Sequence, residues 1–75
     1  MDLDEYLFYE KKKDPSFSDT AFAKRLGIAK SYFSRVASGR VAPSSHVLYL
    51  IDKHTDGKVD VLKMLRSYFD KKKGN

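Results

Sequence analysis

The side chains best suited to holding a ligand lie in one stretch and are basic. Lys24, Arg25, Lys30, Arg35 and Arg40 fall between Thr20 and Ile51, with the hydroxyls of Ser31 and Ser34 among them. Over that whole span there is no Asp or Glu. Acids collect instead at Asp2, Asp4, Glu5, Glu10, Asp14 and Asp19, and again from Asp52 onward. A solvated helical surface usually mixes both signs, so an acid-free stretch of this length has the pattern of a polyanion-binding face. The formal charge of +5 and isoelectric point near 9.5 point the same way, though only mildly when averaged over the chain. Nucleic acid is favoured over a membrane surface, because no basic amphipathic helix with an apolar insertion face is evident.

Other chemistries find little support. His46 and His54 are the only histidines, eight residues apart, with no cysteine and no His-Glu-x-x-His pairing. The four glycines are scattered and form no phosphate cradle. A chain of 75 residues does not easily build a deep substrate pocket. No enzyme activity, metal, cofactor or small-molecule substrate is therefore expected.

The elements that must position the basic residues can be read from Ser18 to Ser38. Phe22, Leu26, Phe33 and Val36 are apolar at helical spacings. Gly27 falls between the two runs, where a sharp bend needs a residue tolerant of positive φ. Ala23, one turn earlier, is small enough to let a second helix approach, and Ile28 can plug the corner. Ser18 can cap the first helix, expected from Ser18 or Asp19 to Leu26. The second runs from about Lys30 to Ser38, with Gly39 closing it in a left-handed conformation. With Phe33 and Val36 facing the core, Lys30, Ser31, Ser34 and Arg35 are left outward. Helix, short turn, helix, with a small residue, a glycine and apolar plugs at fixed offsets, is a helix-turn-helix pattern.

These residues resemble the helix-turn-helix of the phage repressor and Cro-like family. The matching features are Ala23, Leu26-Gly27-Ile28, Phe33, Val36, Ser38-Gly39-Arg40, and Pro43-Ser44 opening the next helix, covering roughly residues 17–57. The resemblance implies double-stranded DNA as partner, with the second helix of the motif in the major groove. It places Lys30, Ser31 and Arg35 at positions that read bases, and Ser34 at one that meets bases or backbone. Arg35 has the planar fork for guanine O6 and N7. Thr20, Ser38 and Arg40 fall to the phosphate backbone, and Tyr32 either packs on a sugar or thymine methyl or is partly buried. Asp19 departs from the pattern: either it turns aside or this end of the motif sits away from the DNA. The resemblance further implies a small transcriptional regulator, a repressor by occlusion, bound as a two-fold dimer on half-sites ~34 Å apart.

The rest of the chain supplies an all-α frame of about five helices in one domain, residues 1–75. A first helix over 2–13 carries Leu3, Tyr6, Leu7 and Glu10 on one stripe, acids early and lysines late. Lys11-Lys12-Lys13 reads equally as a phosphate contact or a solvated helix end. Asp14-Pro15 breaks the helix, and Phe17 staples the next one. A fourth helix, capped by Ser44 or Ser45 and ending near His54, should largely bury Val47, Leu48, Leu50 and Ile51, with Tyr49 core or rim. Gly57 closes it, and Gly57 to Val61 carries a weak strand signal. The fifth helix, opened by Asp60, offers Val61, Leu62, Leu65, Tyr68 and Phe69. Tyr68 and Phe69 either pair two copies as a homodimer or close the core of one. Residues 70–75 are expected to fray.

The amino terminus lacks a signal peptide's basic start, and no apolar run approaches the ~20 residues of a membrane span. The expected setting is cytoplasmic and nucleoid-associated, in a bacterium or encoded by a phage. Two alternatives accompany the DNA-regulator reading. One is a protein-interaction module, adaptor-like or antitoxin-like, for which the basic stretch is unnecessary. The other is a non-specific DNA-coating protein, insensitive to the outward residues of the third helix.

Overall fold

In a computed structural model the backbone is described from Met1 to Lys73 and the side chains to Asp70. Five helices form: α1 (Leu3–Lys13), α2 (Asp19–Leu26), α3 (Lys30–Ala37), α4 (Ser45–His54) and α5 (Val61–Lys73). No strand occurs among the described residues. The fold is all-α, as the apolar spacing predicts.

Short polar side chains start four of the helices. The Glu5 N–H donates to Asp2 Oδ1 at 2.8 Å, Ala21 N–H to Ser18 Oγ at 3.1 Å, Val47 N–H to Ser44 Oγ at 3.2 Å, and Lys63 N–H to Asp60 Oδ1 at 3.0 Å. Each satisfies one of the donors a helix leaves open at its first turn. α3 differs. Ala29 stands at its N-cap with no side chain to accept.

Glycine closes both helices of the central pair. Gly27 has φ +78° and lets Ile28 N–H reach back to the Ala23 carbonyl at 3.1 Å. Gly39, also at φ +78°, lets Arg40 N–H reach the Arg35 carbonyl at 2.9 Å. These six-to-one bonds are Schellman closures, and they turn the chain sharply enough for α3 to pack across α2. The C-cap of α3 is Ser38 rather than Gly39, which follows it. α4 ends similarly at Thr55, whose buried hydroxyl donates to the Ile51 carbonyl at 2.7 Å, and Asp56 and Gly57 then both take positive φ.

The core is centred on Phe22. Its ring lies 5.9 Å from Tyr6, 5.9 Å from Phe17 and 5.6 Å from Phe33, centroid to centroid. One side chain of α2 thereby ties α1, the α1–α2 loop and α3 together. Leu3, Leu7, Ala23, Leu26, Val36, Val47, Ile51 and Val59 complete the buried set. α2 packs on α3 and α4, and α4 on α5.

The outer helices depart from expectation. In α4 only Val47 and Ile51 are fully buried. Leu48 and Leu50 are half-buried, and Tyr49 is 58% exposed at the rim. In α5, Val61, Met64, Leu65 and Tyr68 turn inward while Leu62 (64%) and Phe69 (55%) face out. The apolar stripe of α5 is wider than the surface it packs on: Val61 and Met64 meet the core, while Leu62 and Phe69 do not. Val59 and Thr55, absent from the expected core, are buried because the α4–α5 turn folds under the bundle. Residues 57–61 form no strand. Met1 lies beside them, its ammonium donating to the Lys58 carbonyl and its own carbonyl accepting from Asp60 N–H, both at 2.9 Å. α5 is helical through Lys73. Fraying at Gly74 and Asn75 lies outside the described residues.

Candidate nucleic-acid interface

The three-residue turn Gly27-Ile28-Ala29 sets α3 against α2 so that Phe33 and Val36 are buried. Helical spacing then fixes what faces out. Lys30, Ser31, Ser34 and Arg35 are all exposed and share the opposite face of α3. This face carries two cations, two hydroxyls and no acid. The first three backbone N–H groups of α3 have no acceptor within their own helix, and no cap side chain covers them. An elongated surface of donors results, about one helix wide.

The flanking candidates divide. Thr20 is exposed on the second residue of α2, and Arg40 is exposed just after α3. Ser38 is exposed, but its hydroxyl proton is donated to the Arg35 carbonyl at 3.2 Å, so that bond must open before the hydroxyl can donate to a phosphate. Tyr32 is half-buried and packs against the core, so its ring belongs more to the domain than to the outward face. Lys24 and Arg25 are exposed on α2.

Asp19 turns aside. Its Oδ1 is shielded from solvent and accepts no well-aligned hydrogen bond, but the Lys11 ammonium of α1 stands 3.1 Å away. The one acid at the start of α2 is thus compensated from α1. The other lysines of the run also have partners. Lys13 lies 3.6 Å from Glu10, and Lys12 sits 4.9 Å over the Phe8 ring. Each lysine of the run thus has a partner within the chain, and all three remain exposed.

Two groups at the far side of α1–α2 titrate unusually. The Ser16 hydroxyl (2.6 Å) and backbone N–H (3.0 Å) hold the Asp14 carboxyl below its ordinary value. Burial, with Glu10 beside it, pushes the Tyr6 phenol up. Neither lies on the α3 face. His46 is exposed and His54 half-buried, and among the described residues no group of three or more acids and histidines gathers as metal ligands would.

No family model matches the chain. Nor does any solved structure. A curated relative does: the ImmF control region 10 kDa protein of Bacillus phage phi105 is 34% identical over 58 residues, 77% of this chain. The two are distant homologues. The chain spans 64% of the relative's length, so about a third of that protein has no counterpart in the match. No described helix is long and apolar enough to cross a membrane.

Proposed function

We propose that this protein binds double-stranded DNA in a sequence-specific way and acts as a small transcriptional regulator, a repressor that occludes a promoter operator. The observation that carries this reading is the acid-free, fully outward face of α3, Lys30-Ser31-Ser34-Arg35, presented by a glycine-closed two-helix unit. An α-helix fits the major groove, and its outward donors then meet base edges. Arg35 reads a guanine through O6 and N7, and Lys30 a guanine or a phosphate. Ser31 and Ser34 make less discriminating contacts. Thr20 and Arg40 fix the register on the phosphates, joined by Ser38 once its hydroxyl turns from the Arg35 carbonyl, with Tyr32 contributing at its exposed edge. The relative's printed name, a phage control-region protein, supports a regulatory role. The setting is the cytoplasm of a bacterium, with no cofactor and no catalytic step.

Selection of bound duplexes from a random pool at physiological salt tests the reading. An enriched inverted repeat is the expected result, and its spacing gives the arrangement of the two bound copies. A pool that stays unenriched, with binding that vanishes as salt rises, leaves only the electrostatic term of a DNA-coating protein. Absence of binding at low salt overturns DNA as the partner and favours a protein-docking module.

A further inference from the structure

The two sides of α5 meet different surroundings. Val61 and Met64 pack on the core, and Met64, Ser67 and Tyr68 border an open groove of about 730 Å³ against the start of α1 and the end of α3. Leu3 and Val36, which line that groove, are already buried, so it leaves little apolar surface to cover. The other side of α5 is bare. Leu62 (64% exposed) and Phe69 (55%) stand seven residues apart, with half-buried Leu65 between them. Positions i, i+3 and i+7 fall along one line of a helix, so the three form an apolar strip about 10 Å long.

Two features of the strip indicate what covers it. Phe69 is already oriented, because the Tyr68 ring meets it edge to face with centroids 5.2 Å apart. An aromatic held in this way loses little freedom when it is buried. The second feature is charge. Arg66 borders the strip one turn after Leu62, and Asp70 follows on the same edge one turn further on. Both are exposed, and neither has an ion-pair partner among the described residues. The opposite edge carries Val61 and Tyr68 and no charge. A base followed by an acid on one edge complements itself when the helix is reversed.

We propose that a second copy of this chain covers the strip, α5 against α5 and antiparallel, about a two-fold axis near residue 67. That register sets Leu65 opposite the partner's Phe69. It also brings Arg66 within about 3 Å, measured along the helix, of the partner's Asp70. Each contact is made twice. A parallel copy would instead turn the charged edge toward its partner's uncharged one. The contact is isologous and closes at two chains, which is the symmetry an inverted repeat requires of two bound copies. The strip is small against the ~1,200–2,000 Å² that stable complexes bury, so the pair is weak and forms as concentration rises. The proposal does not depend on DNA binding.

Sedimentation equilibrium of the full chain, without DNA, tests it with three variants: Phe69→Ser, Arg66→Asp and Asp70→Arg. All three positions are exposed, and a thermal melt confirms that each variant folds. Wild type should approach twice the 8.6 kDa chain mass with concentration and stop there. Phe69→Ser withdraws two rings from each pair and should weaken it roughly a hundredfold. Arg66→Asp alone sets acid against acid and Asp70→Arg alone sets base against base, so each should pair less well than wild type. Their equal mixture should pair better than either, because every edge then meets its opposite. A wild type that stays at one chain, or grows past two, overturns the proposal. So does a Phe69→Ser protein that pairs as wild type does, which would place the contact elsewhere. A mixture no better than its components overturns the antiparallel register.

Discussion

Replacing Phe22 by leucine should cost this protein more than the same change at Phe33, although both rings are buried. Phe22 meets three rings, Tyr6, Phe17 and Phe33, whereas Phe33 meets only Phe22 among the ring pairs described. An aromatic pair is worth ~0.5–1.5 kcal/mol beyond the area it buries. Leucine keeps most of the apolar volume, and a near-isosteric swap usually costs under ~1.5 kcal/mol on its own. Phe22→Leu should therefore lose roughly 1.5–4.5 kcal/mol through its ring contacts, and Phe33→Leu about 0.5–1.5 kcal/mol. Alanine is the wrong probe. A chain of 75 residues rarely holds more than ~3–5 kcal/mol in its core, and Phe→Ala alone takes about that much. Urea titration followed by circular dichroism measures both leucine variants. Each kcal/mol should also appear as about 4–8 °C in the melting temperature. If Phe33→Leu proves as costly as Phe22→Leu, the ring cluster is not what ties α1 to the central pair.

Further outcomes follow from other sites. Arg35→Ala should lose about 1–3 kcal/mol on the selected duplex and relax one base position; an equal loss on every sequence would make it a phosphate contact. Asp19→Asn should tighten binding to all duplexes alike. Lys11→Ala should weaken binding in the wild type but change little in the Asp19→Asn background, and a loss in both backgrounds would make Lys11 itself a phosphate ligand. Gly39→Ala should cost about 1–2 kcal/mol from left-handed strain alone, because no atom lies within 4 Å of the added Cβ; a larger loss in urea titration would mean that the loop rearranges. The Tyr6 phenol is raised in the fold, so its contribution to stability is complete below the unfolded value near 10 and is lost as pH rises through the folded one. Tyr6→Phe should leave neutral stability nearly unchanged and flatten that alkaline limb, as paired urea midpoints at neutral and alkaline pH will show.

What could be read from the residues was what short-range chemistry decides. Ser18, Gly27, Ser44 and Asp60 act within one turn of themselves, and their helices begin or end where expected. The outward set of α3 followed from Phe33 and Val36 because an eight-residue helix leaves little latitude in rotation. α5 did not yield in this way. Its apolar residues cover nearly half the helix, and which of them face inward depends on how far α4 extends beneath them. Val59 and Thr55 are buried by the path of a turn, which no periodicity records. The partnering of Lys11 with Asp19 joins two helices across a loop. The groove is more distant still, since its walls come from residues 2–4, 36–43 and 63–70.

The missing cap on α3 bears on how that helix moves. Its far end is fastened by reach-back hydrogen bonds from four successive N–H groups, Ser38 to Ser34, Gly39 to Val36, and Arg40 and Val41 to Arg35, while Lys30, Ser31 and Tyr32 begin it with no side-chain acceptor. Eight residues are too few to hold a helix by propensity alone, so packing of Phe33 and Val36 does the holding. In deuterated solvent those first three amides should exchange as freely as loop amides, while those of Val36 and Ala37 wait for the bundle to open. The leading turn can unwind and rewind without breaking a hydrogen bond to any side chain. If that exchange pattern is found, Lys30 and Ser31 ride on the more readily opened end of α3 and Arg35 on the end fastened by its closing loop.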